Sequence, residues 1–111
     1  MSGVNKVILI GRVGNEPDIK VIGEKKVANF SFATSETYKD KNSGDKIENT
    51  EWHRITIWGS LADVVENYTK KGSKLYLEGK NMTRSYEKDV HTFYVTEVIC
   101  DQLIMLDKKE D

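Results

Sequence analysis

The segment SLADVVENYTKKG, Ser60–Gly72, is the one clear helix in this 111-residue chain. Its apolar residues Leu61, Val64, Val65 and Tyr68 recur at helical spacing, so one face is expected to pack on a sheet. Ser60 stands where an N-cap belongs, with Asp63 three residues on. Lys70 and Lys71 suit the negative C-terminal end, and Gly72 is a natural stop. The segments around it read as strands. Val4–Gly14 (VNKVILIGRVG) is a core strand, Asn15–Pro17 turns the chain, DIKVI is a short strand and Gly23–Lys26 a hairpin turn. Val27–Tyr38 alternates, with Ala28, Phe30 and Phe32 on one face and Asn29 and Ser31 on the other. Lys39–Asn49 is polar and reads as the mobile tip of a long hairpin. After the helix, Ser73–Glu87 enters a second hairpin and His91–Leu106 forms the last long strand.

Many strands and a single helix placed after the third long strand point to a small closed barrel. The five-stranded OB-fold, a Greek-key barrel with its α-helix between strands three and four and long protruding hairpins, has this order. Periodicity alone leaves other small barrels open.

The strand TEWHRITIWG, Thr50–Gly59, holds both tryptophans. Alternate side chains of a strand share a face. Trp52, Arg54, Thr56 and Trp58 therefore lie on one side, and His53, Ile55 and Ile57 on the other. The isoleucine side is the natural core side, which leaves rings and a charge on the wetter one. Two readings follow. The tryptophans bury in a second core or a subunit contact, or they form a platform on which flat ligands stack while the arginine takes an anion. His53, on the core side, reads as a hydrogen-bonded core or interface residue. Phe30, Phe32 and Phe93 read as core, and Tyr68 as helix packing. Tyr38, where a strand meets the hairpin, and Tyr86, two residues after Arg84, read as ligand contacts.

Seventeen Lys and Arg against eighteen Asp and Glu give a net charge of −1. That argues against a simple basic nucleic-acid binder, whose domain isoelectric point is often above about 9. Charge is uneven, however. Lys70, Lys71, Lys74, Lys80, Arg84 and Lys88 face only Glu78 and Glu87 in their segment, while acids concentrate in Glu36–Glu51 and the last five residues. A near-neutral total does not exclude a basic groove. The lysines of the 39–46 hairpin are either solvated or ligand-facing. His91 and the lone Cys100 show no metal-ligand spacing, and no nucleophile–base pair is evident, so neither a metal site nor an OB-fold hydrolase is expected. No apolar run is long enough to span a membrane, no signal peptide is seen ahead of Val4, and Cys100 lies in an apolar strand-like run. An intracellular protein with a reduced core thiol is expected.

Six stretches in order carry a resemblance: VNKVILIGRVGNEPDIK, VANFSFATSETY, TEWHRITIWG, LADVVENYTKKGSKLYLEG, TRSY and TFYVTEVICDQLIML. Together they cover nearly all of Val4–Leu106, and the chain resembles the DNA-binding domain of the bacterial single-stranded DNA-binding protein family. The resemblance implies one OB-fold domain over residues 1–106 with a short charged tail at 107–111. It implies a homotetramer that binds single-stranded DNA with little sequence preference in replication, recombination and repair. No enzymatic activity and no cofactor are implied, and the location is cytoplasmic and nucleoid-associated. The family's aromatic positions fall on Tyr38, Trp52, Trp58 and Tyr86, of which the two tyrosines are commonly tryptophan in relatives. Basic positions that carry over are Arg54, Lys71 and Arg84, with Lys6, Arg12, Lys39, Lys41 and Lys80 added. Relatives usually continue into a flexible linker and an acidic tip ending in Asp-Asp-Ile-Pro-Phe that docks replication and repair proteins. This sequence ends in LDKKED, so docking through such a tip is not expected. The alternative is a primosomal loading module of the same fold, with a protein as main ligand and a weaker aromatic set.

Overall fold

Long runs of β-branched and aromatic residues separated by short polar turns favour antiparallel hairpins, and closing them into a ring removes their exposed edges. The computed structural model describes residues 2–108. It contains β1 (Val7–Val13), β2 (Asp18–Ile22), β3 (Lys25–Lys39), β4 (Lys46–Trp58), α1 (Ser60–Tyr68), β5 (Lys74–Lys88) and β6 (His91–Met105). The strand order is β1-β5-β6-β4-β3-β2, and β1 also returns to β3. Two seams close the ring. One is the antiparallel pairing of Arg12 with Ala33 and Val13 with Phe32. The other is the parallel pairing of Ile55 with Val98 and Thr56 with Ile99. The barrel thus uses β1, β3, β4, β5 and β6, while β2 flanks β3 as a short hairpin arm. The helix follows β4, the third barrel strand, which is the OB-fold order.

At the first seam β1 changes partner, pairing with β5 through Val7–Arg12 before it reaches β3. Gly11 sits at the crossing. A Cβ there would strike the Ala33 carbonyl oxygen, so only glycine lets the two backbones approach. Inward side chains of all five barrel strands meet in one core. Phe32, Ile55, Ile57, Leu75 and Leu77 are fully buried. The helix plugs one end with Ala62 and Val65. Burying each large aliphatic or aromatic chain stabilises the fold by roughly 1.5–3 kcal/mol. Lys26 on β3 clamps the helix, reaching Asp63 at 2.6 Å and Glu66 at 2.7 Å. Hydrogen bonds to these two carboxylates raise its pKa above the ordinary lysine value.

The helix differs from expectation at both ends. Gly59, at φ 77°, precedes it, no side chain caps it, and Ser60 is already helical. It ends at Tyr68, four residues short of Gly72. The next residue, Thr69, is extended, and its hydroxyl and amide both donate to the Val65 carbonyl at 2.7 and 3.1 Å. Lys70 and Lys71 therefore lie beyond the helix, in the turn to β5. Thr69 is buried, whereas Tyr68 is exposed and is not part of the core. Phe30 and Phe32 are core, as expected, but Phe93 is 43% exposed on the β5–β6 hairpin, where no second layer lies beneath it. The β3–β4 hairpin is more regular than its polarity suggests. The ladder runs to Lys39–Lys46, leaving a tip of only residues 40–45. The Asp40 carboxylate holds that tip by accepting from the Asn42 amide at 2.9 Å and the Ser43 hydroxyl at 3.1 Å, and these bonds lower its pKa. Among the described residues no helix is long and apolar enough to cross a membrane.

Cys100 is buried beside Val98, and burial pushes its thiol pKa up to about 11. At pH 8 the thiolate is then only about one part in a thousand of the total, against roughly a quarter for a free cysteine. Reaction with a disulfide reagent at pH 8 should be at least about a hundredfold slower in the folded protein than in urea. Equal rates would place the thiol at the surface.

Candidate nucleic-acid interface

The ladder between β3 and β4 sets which side chains leave the barrel. Trp52 lies opposite Ala33, Arg54 opposite Ser31, Thr56 opposite Asn29 and Trp58 opposite Val27. Ile55 and Ile57 point into the core between them. Trp52 and Trp58 are 61% and 43% exposed, so neither is buried in a second core of this chain. Thr56 shares their parity but is buried, because its hydroxyl lies 3.0 Å from Glu97 Oε2 and 2.9 Å from Asn29 Oδ1.

Trp52 is seated from below. A Cβ on Gly14 would strike its ring edge and would come 2.7 Å from Ser31 Oγ. Asn15 fixes that seat. Its Oδ1 accepts from the Ser31 amide at 2.7 Å and the Ser31 hydroxyl at 2.6 Å, and the Gly14 amide donates to the Ser31 carbonyl at 2.8 Å. Beside the ring runs a groove of about 510 Å³, bounded by Trp52, Arg54, Asn29 and Ser31 on the barrel wall and by Arg84 and Glu97 from the β5–β6 hairpin. Arg54 has no ion-pair partner among the described residues, whereas Arg84 Nε donates to Glu97 Oε1 at 3.3 Å. His53, on the inward parity, is half-buried with a ring nitrogen 2.9 Å from the Thr34 hydroxyl.

The other expected residues are spread more widely. Tyr86 is exposed and stacks on Phe93 across the hairpin, with centroids 5.5 Å apart and planes at 25°. Tyr38 lies opposite Ile47 and shares the parity of Glu36 and Asn49, which is the reverse side of the ribbon from Trp52. Lys39 ends the ladder of the same ribbon, Lys41 lies in its tip, and Lys80 is exposed on β5. Lys71 is exposed in the turn after the helix, where its amide donates to Glu16. Arg12 is two ladder steps from Trp52 through Ala33, or about 10 Å. It donates to the Gly72 carbonyl at 2.9 Å and lies 3.8 Å from Asp107. Lys6 pairs with Glu78 at 3.3 Å. Three residues missed by sequence reasoning shape the site: Gly14, Asn15 and Glu97. Glu97 left a trace, as the one acid within the strand run FYVTEVIC, whereas nothing in the sequence places Gly14 under a ring. Among the described residues no group of three His, Cys, Asp or Glu side chains could hold a metal ion.

The model of the single-strand binding protein family matches residues 4–106. The chain belongs to that family. It is 46% identical to single-stranded DNA-binding protein 1 of Chlorobaculum tepidum, covering 97% of this chain and 68% of that one. It is 49% identical to the single-stranded DNA-binding protein of Rickettsia felis, covering 96% and 74%. Among solved structures, the Plasmodium falciparum member in complex with single-stranded DNA superposes with a TM-score of 0.86 at 38% identity, over 96% of this chain and 98% of that chain. A deletion mutant of the Thermus aquaticus protein gives 0.80 at 25% identity, over 95% and 51%. Over the matched residues both neighbours share the fold of this chain.

Gly14→Ala tests the seat of Trp52. The added methyl should push the exposed ring aside and alter the tryptophan bands in near-ultraviolet circular dichroism. Overpacking costs about 1–3 kcal/mol, toward the low end here because the ring can swing into solvent. Unchanged bands would show that Trp52 does not rest on Gly14.

Proposed function

We propose that this chain binds single-stranded DNA with little sequence preference, by stacking bases on its outward rings while arginines and lysines grip the backbone. The observation that carries this reading is the pairing of Trp52 with Arg54 on one exposed face, across a groove from Arg84. Every base has a flat π-face, so stacking ignores sequence. In single-strand-binding OB-folds, the class to which this chain belongs, it is worth roughly 1–3 kcal/mol per base. A duplex hides those faces, so the same surface discriminates against it. The complex with single-stranded DNA seen for the Plasmodium relative supports the ligand class.

The strand runs through the groove at Trp52, Arg54 and Arg84, with Trp58 on the same wall and Tyr86 on the hairpin beyond. Tyr38, Lys39 and Lys41 engage a strand that wraps round the edge of the β3–β4 ribbon. Lys71 and Lys80 add local positive charge. Lys6 and Arg12 contribute less, since each already has an acidic partner. This role serves replication, recombination and repair, in the cytoplasm and on the nucleoid.

The chain assembles with itself as a homotetramer. Ile8, Ile10 and Ile104 are more than half exposed and meet across β1, β5 and β6, with Tyr76 between Ile10 and Ile104. Beside them, among the described residues, the Val7–Ile10 edge of β1 has no strand partner on the side away from β5. An apolar face next to an open strand edge is a surface that a second copy would cover. Light scattering at micromolar concentration should return a tetramer, and Ile10→Glu a smaller species with an intact barrel by circular dichroism. A monomeric mass for the parent would refute the assembly.

The two halves of the site separate in a salt titration with fluorescently labelled oligo-dT. Arg54→Ala removes one phosphate contact, so the slope of log K against log salt should shrink by about 0.7. Trp52→Ala should cost roughly 1–3 kcal/mol at every salt concentration, the range for such stacking, with the parent's slope. Equal slopes for all three proteins would mean that Arg54 meets no phosphate.

A further inference from the structure

Glu97 is only 8% exposed, yet it lines a groove that takes a polyanion. Its two oxygens are separately engaged. Oε2 lies 3.0 Å from the Thr56 hydroxyl on the barrel wall, which shares its one proton between Glu97 and Asn29 Oδ1 at 2.9 Å, and Oε1 accepts from Arg84 Nε at 3.3 Å. Arg84 stands on the protruding hairpin with a side chain 55% exposed. Nε is its only nitrogen within hydrogen-bonding distance of a protein acceptor among the described residues. A guanidinium held at Nε keeps its two terminal nitrogens free, in the planar fork that matches a phosphate.

We propose that Glu97 is a positioning residue for DNA binding: anchored on Thr56, it fixes the Arg84 guanidinium by Nε so that the terminal fork faces a phosphate in the groove opposite Arg54. This rests on the single-strand reading above and adds a residue that never touches the DNA. The anchoring turns a long, mobile side chain on a hairpin into a donor whose orientation is set before the ligand arrives, which lowers the entropy lost on binding. Glu97 brings a negative charge close to a polyanion, and the Arg84 pairing offsets that charge.

The test uses the full chain with labelled oligo-dT over a range of salt, in the parent, Glu97→Gln, Arg84→Met and the double variant. Glu97→Gln should bind about tenfold more weakly at low salt, the loss of one charge-assisted contact. Its salt slope should be shallower by about 0.7, because the Arg84–phosphate contact goes with it. In the Arg84→Met background the same change should alter neither quantity. Tighter or unchanged binding by Glu97→Gln would overturn the proposal and make Glu97 a competitor of phosphate. An equal loss in both backgrounds would reduce Glu97 to a structural role. Should Glu97→Gln not fold, nitrogen-15 spectra of the parent decide. The Arg84 Nε–H signal should stay protected when oligo-dT is added, and its loss on binding would overturn the proposal. A parent that ignores oligo-dT at every salt concentration fails at the single-strand reading instead.

Discussion

Strand β4 supplies the barrel core with one set of alternate side chains and the proposed binding face with the other, and the rest of the molecule depends on that division. Ile55 and Ile57 bury completely, while Trp52, Arg54 and Trp58 leave the barrel between them. A one-residue slip in register would exchange the two sets, putting tryptophan and arginine inside and isoleucine in water. The antiparallel ladder with β3, the parallel contact with β6 and the helix that follows Gly59 all hold β4 in that register. Fold and interface are therefore stabilised by the same burial, since each inward isoleucine also fixes the direction of its outward neighbours.

Charge acts on a smaller scale than the net value suggests. Lys6 faces Glu78, Arg12 faces Asp107 and Lys26 faces Asp63 and Glu66. Several cations are thus neutralised locally by structural pairing. What the groove keeps is an arginine without a partner, Arg54, and one held by a single nitrogen, Arg84. Over a Debye length of about 8 Å at physiological ionic strength, the unpaired charge of Arg54 counts for more at the groove than the remote acids of the hairpin tip, while Arg84 offsets Glu97. A chain with net charge −1 can hold a polyanion because its negative charge is elsewhere or already occupied.

The fold was legible because alternation and the lone helix carry it. Strand parity put Trp52, Arg54 and Trp58 on one face correctly, since β4 runs without a bulge from Lys46 to Trp58. The helix end was not legible, because Thr69 closes the last turn through its own hydroxyl, a local bond that apolar spacing does not encode. Phe93 misled for a different reason. It has the composition of a core residue, but β5 and β6 continue past the barrel as a two-stranded ribbon with nothing beneath to bury it. Tyr38 was read as a contact from its place at the root of a hairpin and from resemblance, and neither reports which side of a ribbon a ring takes. Gly14 and Asn15 were out of reach, because their role depends on β1 and β3 meeting across a seam formed by residues far apart in sequence.

The hairpins show what the exposed rings cost and how the chain carries them. Beyond the barrel, the β3–β4 and β5–β6 ribbons have no core, so their order comes from ladder bonds and cross-strand pairs. Tyr86 on Phe93 is one such pair, and Thr83 with Thr96 at 2.7 Å is another. Such pairs contribute only about 0.2–1 kcal/mol each, too little to make a ribbon rigid. The barrel wall, by contrast, seats Trp52 over Gly14 and holds Glu97 beside the buried Thr56. The site therefore joins two kinds of surface. Groove residues are organised before a ligand arrives, and ribbon residues retain freedom to follow its path. On the single-strand reading proposed above, a flexible polymer suits that arrangement, because bases in the groove meet a packed wall and those beyond it meet arms that can adjust. On that reading, the entropy lost in ordering the arms is offset by stacking on rings that water would otherwise surround.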